Sequence, residues 1–201
     1  MSSTVQRHFE RQSSQYTASS GALLWRWQRT RETAAVDNLM GDVSGEEILD
    51  LGCGTGHYTR HFLDVGARHI TAVDFSPSMI SQLPNSGVTG IVEDVTKVRF
   101  GQKFPMIICA GVLEFVSSPE ALLGHARNLI SESGAMVCLL PPDNWAGRLY
   151  RAYHWRHDFE IGLFKNGHFE DMCGKSGWGI EARRFVFPYS AVYRLTPLAA
   201  S

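Results

Sequence analysis

The stretch Ile48-Leu49-Asp50-Leu51-Gly52-Cys53-Gly54-Thr55-Gly56 decides the fold of this chain. It begins as a mostly apolar strand and continues with glycine at every second position, and a helical stretch over 57–65 follows. Glycines after a strand let the backbone approach a ligand without a Cβ in the way, and a nucleotide-binding loop requires this strand–turn–helix context. We therefore expect a ligand at the carboxyl end of this strand.

Further apolar runs follow the first, with helical stretches between them. The runs cover 70–73, 88–92, 106–110 and 135–140, and the helices cover 77–83 and 119–130. Apolar runs without alternation indicate a parallel sheet that is covered on both faces. The last two strands, 178–187 and 190–195, are joined too closely for a parallel crossover, so we expect an antiparallel hairpin. The predicted fold class is α/β, with a doubly wound, mostly parallel, seven-stranded sheet.

The amino-terminal part of the chain differs from this pattern. We predict an amino-terminal helical lid over 1–44 and the main ligand-binding domain over 45–201. Within the lid, a helix over 21–40 would place Trp27, Arg31 and Leu39 on its packed face. Within the main domain, the aromatic-rich segment 143–168 is expected to form an insertion beside the bound ligand.

Composition excludes several classes of protein. The chain has 201 residues, 44% of them hydrophobic and 19% charged, as in a globular protein. Its formal net charge of −1 lacks the basic surplus of a nucleic-acid-binding protein. No apolar run approaches the about 20 residues of a membrane span, so we expect no membrane partner. The polar start lacks the apolar stretch of a signal peptide, which predicts a cytoplasmic location.

The cysteines predict neither a disulfide framework nor a zinc site. The chain has four cysteines, and no two of them form a C-x-x-C pair. We expect reduced thiols.

The spacing of the glycines argues against a dinucleotide site. Counted from Gly52, the dinucleotide fingerprint needs a further glycine where His57 stands. The chain instead resembles the class I S-adenosylmethionine-dependent methyltransferases of the small-molecule type, which have a Rossmann-like fold. The matching motifs stand in the family's order: Asp50-Leu51-Gly52-Cys53-Gly54-Thr55-Gly56, Val73-Asp74-Phe75-Ser76-Pro77-Ser78-Met79, Glu93-Asp94-Val95 and Ile107-Ile108-Cys109-Ala110-Gly111-Val112-Leu113-Glu114.

This resemblance implies S-adenosyl-L-methionine as the cofactor and assigns the residues that bind it. Asp74 would accept hydrogen bonds from the ribose hydroxyls, and Asp94 would accept one from the adenine amine. The remaining cofactor-binding candidates are the loop residues Gly52, Cys53, Gly54 and Gly56, the adenine-side residues Phe75, Met79 and Val95, and the methionine-side residues Asp50, Ala110 and Gly111. Tyr16 would reach the cofactor from the lid.

The catalytic residues are harder to assign. Many related enzymes carry a histidine after the Leu-Glu at the end of the fourth strand, and here that residue is Phe115. The catalytic candidates are therefore Tyr16, His154 and His157. The two histidines share a helix face with Asp158 if the segment is helical, but we interpret that face as contacting substrate and expect no bound metal.

These features predict methyl transfer to a small-molecule acceptor, apolar or aromatic, in a biosynthetic pathway. The dense aromatics of 143–168 suit such an acceptor, although they would also suit ordinary core packing. Two alternatives stay open: a non-catalytic S-adenosylmethionine-binding partner subunit, and a methyltransferase that acts on a macromolecule. The glycines and acids alone do not separate a binding subunit from an enzyme.

Overall fold

In the computed structural model, the protein folds as a seven-stranded sheet with helices on both faces. The structure describes residues 22–155 and 161–199. The strands are β1 (Glu47–Leu51), β2 (His69–Asp74), β3 (Val88–Val92), β4 (Phe104–Ala110), β5 (Ile130–Leu140), β6 (Trp178–Val186) and β7 (Ser190–Pro197). The helices are α1 (Ala22–Met40), α2 (His57–Asp64), α3 (Pro77–Ile80), α4 (Pro119–Leu129), α5 (Trp145–Trp155) and α6 (Asn166–Lys175).

The order of the strands is β3-β2-β1-β4-β5-β7-β6. Strands β1 to β5 are parallel, whereas β7 is antiparallel to both β5 and β6. The predicted doubly wound sheet with its carboxyl-terminal hairpin is confirmed. The strand order reverses between β1 and β4, and open α/β sheets bind ligands at such a switch point.

Each face of the sheet has its own hydrophobic core. Leu49 and Ile107 contribute to the core that α4 and α6 cover, whereas Ile48 and Ile108 contribute to the core that α1 and α2 cover. All four of these side chains have no exposed surface. Successive side chains on a strand point to opposite faces, so both faces of a central strand are buried and its sequence is apolar throughout.

All four cysteines are free and buried. The reduced thiols that the sequence predicted are confirmed, and the cysteines serve as small apolar residues of the two cores.

Several element boundaries differ from the sequence prediction. Helix α3 ends at Ile80, three residues before Leu83, the predicted end. Leu83 precedes Pro84, whose ring disfavours helical backbone in the residue before it. Strand β5 begins at Ile130 rather than Ala135, because its first residue still pairs with Phe104 of β4.

The predicted face of α1 is wrong for Trp27 and Arg31, which are exposed, and right for Leu39, which is buried. The buried face also carries the polar Gln28 and Glu32. The buried Glu32 carboxylate accepts hydrogen bonds from the Ser190 hydroxyl of β7 and from the Gln28 amide. Partners on a distant strand thus compensate for burying two polar side chains, a compensation that helical spacing alone does not reveal.

Helix α1 packs against the sheet across β5, β6 and β7. Two side-chain contacts also tie it to α2. The Thr33 hydroxyl lies 2.9 Å from Nε2 of His57, and Asp37 lies 2.7 Å from Nε2 of His61. The residues before Ala22, which form the first part of the predicted lid over 1–44, lie outside the described part of the chain.

Helix α5 lies within the segment 143–168 and is seated on the protein through small residues. Ala146 and Gly147 are buried, whereas Trp145, Leu149 and Trp155 are exposed. A Cβ added at Gly147 would lie 2.1 Å from the carbonyl oxygen of Pro142. The segment therefore does not use these exposed aromatic residues as core, although Phe164 farther along it is buried.

We expect Gly147→Ala to destabilise the protein by about 1–3 kcal/mol, because its methyl group would push α5 away from the Pro142 backbone. The control is Gly124→Ala in α4, where an added Cβ meets nothing within 4 Å. That substitution should stabilise the helix by about 0.5–1 kcal/mol. Chemical denaturation measures both free energies of unfolding, and equal effects of the two substitutions would show that α5 is not seated in this way.

Candidate functional site

The glycine-rich loop after β1 is fastened to the end of β2 by one carboxylate. Oδ2 of Asp74 accepts a hydrogen bond from the Gly54 N–H at 3.0 Å, and Oδ1 accepts one from the Ser76 N–H at 2.9 Å. The Gly52 N–H also donates to the Val73 carbonyl at 2.8 Å. These bonds fix the loop at the switch point of the sheet.

The Asp74 carboxylate is buried but retains the capacity to bind a ligand. Burial raises the pKa of Asp74, while the N–H groups of Ser76 and Gly54 oppose that rise by stabilising the charge. Each carboxylate oxygen has a second lone pair beyond the one that the backbone uses. The side chain can therefore hold the loop and accept hydrogen bonds from ligand hydroxyls at the same time.

The loop leaves open space at its centre, as a cofactor site requires. Gly54 has a φ of +53°, and a Cβ placed there would meet nothing within 4 Å. At Gly52, in contrast, a Cβ would lie 2.3 Å from the Val112 side chain. Val112 thus forms a wall behind the loop, while the backbone at Gly54 faces open space that an extended ligand can fill.

Asp50 is buried beneath the loop and is bound by the protein itself. Its Oδ2 accepts a hydrogen bond of 2.6 Å from the Thr59 hydroxyl of α2. Burial raises the pKa of Asp50 to about 7, with the nearby Asp74 carboxylate adding to the rise. The observed contact joins β1 to α2, and a role of Asp50 toward the methionine end of a cofactor remains a prediction.

The predicted adenine-side residues follow β3 and β2. The Glu93 N–H donates to the Asp74 carbonyl at 3.0 Å, which places the following turn beside Asp74. In that turn, Oδ1 of Asp94 accepts hydrogen bonds from the N–H and the hydroxyl of Thr96. Val95 is buried in the core, Met79 is buried on α3 and Phe75 is half-buried. The fold therefore brings these residues to the same end of the sheet as Asp74.

The end of β4 brings a further carboxyl group to the same edge of the sheet. Ala110 is half-buried, and the Gly111 N–H donates to the Leu139 carbonyl at 2.9 Å. Oε1 of Glu114 lies 3.8 Å from the position that a Cβ on Gly111 would take. The Glu114 carboxyl thus reaches back beneath the predicted methionine side of the site.

Glu114 lies at this edge of the sheet and was not among the site residues that the sequence predicted. It is buried, and its Oε2 has no hydrogen-bond partner among the described residues. Burial raises the pKa of Glu114 to about 8, and the charge of Glu32 on α1 contributes to the rise. The sequence shows this residue in the Leu-Glu pair after the fourth strand. Nothing in the sequence indicates that its side chain turns inward.

The predicted catalytic residues are not described at the level of side chains. Tyr16 and His157 lie outside the described residues, and His154 belongs to α5 without a described side chain. Cys53 and Gly56, in contrast, are described, and both are buried in the loop. The Gly56 N–H donates to the Cys53 carbonyl at 2.9 Å, which closes the loop just before α2 begins.

Comparison with known proteins agrees with this arrangement. A family model described as a methyltransferase domain matches residues 24–182. The trans-aconitate 2-methyltransferase of Klebsiella pneumoniae is 29% identical over 123 residues, which cover 59% of this chain and 47% of that enzyme. The tRNA U34 carboxymethyltransferase of Idiomarina loihiensis is 27% identical over 127 residues, covering 56% of this chain and 36% of that enzyme.

A solved structure matches over nearly the whole chain. The magnesium protoporphyrin IX methyltransferase of Synechocystis PCC 6803, crystallised with bound SAH, has a TM-score of 0.72 at 17% sequence identity. The match covers 96% of this chain and 94% of that one. The chain spans less than half the length of the two curated relatives named above. The match to the family model, together with this fold, shows that the chain belongs to the methyltransferase-domain family, within the class I S-adenosylmethionine-dependent methyltransferases.

Proposed function

We propose that this protein transfers the methyl group of S-adenosyl-L-methionine to a small acceptor molecule that is apolar or aromatic. The observation that carries the proposal is the buried Asp74 carboxylate, which holds the Gly54 backbone beside open space at the switch point of the sheet. A carboxylate at this position suits a ligand with ribose hydroxyls.

The described residues suit the separate parts of the cofactor. Asp74 would accept hydrogen bonds from the ribose hydroxyls, and the open backbone at Gly54 would lie against the ribose and methionine portion. Asp94 and the Val95 N–H would bind the adenine, with Phe75 and Met79 beside it. Cys53, Gly56, Asp50, Ala110 and Gly111 would complete the methionine side.

When bound, the cofactor would supply a methyl group that its sulfonium already activates. The chain itself then has to position the acceptor and exclude water. Glu114 is the described side chain best placed to hold a proton near that edge, because it is buried beside Gly111 with an unpartnered oxygen. It would take the place of the histidine that is missing at Phe115.

The acceptor would be bound by the lid over 1–44 and the segment 143–168. Tyr16, His154 and His157 are our candidates for contacts with the acceptor there. A small molecule is favoured over a nucleic acid because the net charge is −1. The relatives themselves include an enzyme named for trans-aconitate and one named for a tRNA, so the acceptor has to be tested directly.

A turnover assay separates an enzyme from a non-catalytic binding subunit. The protein is incubated with methyl-labelled cofactor and a panel of small aromatic and apolar acids, phenols, thiols and amines, with a tRNA preparation as a further arm. Label transfer to a small molecule is the expected result. Labelling of the tRNA alone would contradict the acceptor class, and tight cofactor binding without turnover on any acceptor would favour the binding subunit.

Asp74→Ala should weaken S-adenosylhomocysteine binding by about 1.5–3 kcal/mol for each charged hydrogen bond lost. It should also lower the melting temperature, because the N–H groups of Gly54 and Ser76 lose their acceptor. Titration calorimetry and thermal melts measure the two effects. Glu120 is an exposed acid and provides the control, since Glu120→Ala should change neither the binding nor the melting temperature. Normal binding by Asp74→Ala would show that Asp74 does not hold the ribose.

Gly54→Val should abolish S-adenosylhomocysteine binding because the branched side chain would fill the open space that the ligand needs. Gly45→Val is a matched control, since Gly45 also has a positive φ and nothing within 4 Å of an added Cβ. Both variants should therefore carry a similar backbone strain, but only the first should lose binding. If Gly54→Val folds and binds like Gly45→Val, our placement of the cofactor is wrong.

Glu114→Gln should change how the stability depends on pH. The pKa of Glu114 is raised from 4.5 to about 8, so the folded state keeps a proton that the unfolded chain loses. Wild-type stability should therefore fall between about pH 4.5 and pH 8, while the glutamine variant lacks this contribution. The stability of the variant relative to wild type should rise by as much as about 5 kcal/mol across this window.

Denaturant titrations at several pH values measure this difference, with Glu120→Gln as the exposed control. Parallel stability profiles for wild type and Glu114→Gln would show that the Glu114 carboxyl is ionised in the folded protein.

A further inference from the structure

Large apolar side chains are exposed together at one side of the carboxyl edge of the sheet. We call this surface the apolar face and define it by four residues. They are Trp27 of α1 (53% exposed), Trp145 (61%) and Leu149 (60%) of α5, and Phe187 after β6 (61%). Such exposure of large apolar residues marks an interaction site when they form one patch.

Direct contacts join most of these residues into one surface. The rings of Trp145 and Phe187 pack edge to face with centroids 6.2 Å apart. The Arg31 guanidinium lies 4.5 Å from the centre of the Trp27 ring and donates to the Phe187 carbonyl at 2.9 Å. Leu149 lies one helical turn after Trp145, on the same side of α5.

Helix α5 exposes large apolar side chains among those that the structure describes. Trp145, Leu149 and Trp155 project outward, whereas the small Ala146 and Gly147 are buried. A surface helix normally exposes its polar residues. These three large side chains therefore face something outside the described part of the chain.

The charge around the apolar face is positive. Arg26 and Arg31 are exposed on α1, and Arg148 and Arg151 are exposed on α5. Of these arginines, only Arg148 pairs with a carboxylate among the described residues, namely Asp143 at 2.8 Å. Helix α5 contains no acidic residue. The partner of this surface should therefore be both apolar and negatively charged.

The apolar face adjoins the proposed site. Leu140 at the end of β5 pairs with Ala191 at the start of β7, so the turn between β6 and β7 lies at the carboxyl edge of the sheet. The Asn144 side chain, just before α5, donates to the Pro188 carbonyl in that turn at 3.0 Å. A partner seated on the face would lie beside the edge where the glycine-rich loop opens.

We propose that the apolar face is a docking surface for an anionic lipid membrane. Tryptophan and other large apolar side chains insert at the headgroup level of a bilayer, while arginines bind lipid phosphates. A second copy of this chain would bring like charges together, whereas an anionic bilayer offers both phosphates for the arginines and an apolar interior for the rings. None of the described helices could cross a bilayer, so the contact is with the membrane surface.

Membrane docking would also narrow the acceptor class, and this step rests on the proposed function. An enzyme whose site opens beside a bilayer surface can take its acceptor from the lipid phase. The acceptor would then be a membrane-soluble aromatic or lipid-like molecule rather than a free aqueous metabolite.

Co-sedimentation of the full chain with lipid vesicles tests the proposal. We expect binding to vesicles of phosphatidylcholine and phosphatidylglycerol in equal parts, weaker binding to phosphatidylcholine alone, and release by high salt. The double variant Trp145→Ser, Leu149→Ser should bind about tenfold more weakly, and so should Arg151→Glu in the anionic vesicles. Leu198→Ser is the control, because Leu198 is equally an exposed apolar residue but follows β7 at the opposite edge of the sheet.

Three outcomes would overturn the proposal: no binding of wild type to anionic vesicles, equal binding by the double variant, or a dimer in light scattering that the double variant abolishes. The last would assign the apolar face to a second copy. Calorimetry with S-adenosylhomocysteine on the same preparations distinguishes a failure of the docking proposal from a failure of the proposed function. Loss of lipid binding with normal cofactor binding bears only on docking, whereas absence of cofactor binding in wild type bears on the proposed function.

Discussion

The arrangement of the site depends on one buried carboxylate. Asp74 stands at the end of β2 and accepts backbone hydrogen bonds from Gly54 and Ser76, so it joins the loop after β1 to the turn after its own strand. The interaction is strong because the acceptor is charged and lies in a poorly solvated place. Without it, only the N–H groups of Gly52 and Cys53, which donate to the Val73 carbonyl, would hold the loop against the end of β2.

The sheet fixes the position of that carboxylate. Residues such as Ile48 and Leu49 of β1 fill separate cores on the two faces, so the central strands are rigid and their ends are fixed in space. The same burial makes polar groups costly, and the protein concentrates its buried acids at the carboxyl edge. Asp50, Asp74, Glu114 and Glu32 are all buried there. Burial raises the pKa values of Asp50, Asp74 and Glu114, and a cluster of acids with raised pKa values is typical of a functional site rather than of a structural core.

The sequence predicted the sheet well because its central strands are apolar on both faces, and that pattern is local. It also identified the loop and Asp74, since both depend on residues that follow strands directly. It failed where partners are distant in the chain. The buried face of α1 depends on Ser190, more than a hundred and fifty residues after Glu32, and the inward turn of Glu114 depends on how the end of β4 packs.

The sequence did not predict the orientation of helix α5, and the reason is related. Its aromatic residues look like core or pocket in the sequence, but Gly147 seats the helix against Pro142 and turns Trp145 and Leu149 outward. Helical spacing shows which residues share a face and does not show which face the rest of the protein covers. The orientation of α5 could therefore be learned only from the three-dimensional structure.

The most direct test of this account is a calorimetric comparison of two ligands on the unmodified protein. Asp74 and the open Gly54 backbone suit one ribose with a short amino-acid chain, and His57 stands where a dinucleotide site needs glycine. We expect S-adenosylhomocysteine to bind at one site per chain and much more tightly than NAD. Tighter binding of NAD, or no binding of S-adenosylhomocysteine, would contradict it.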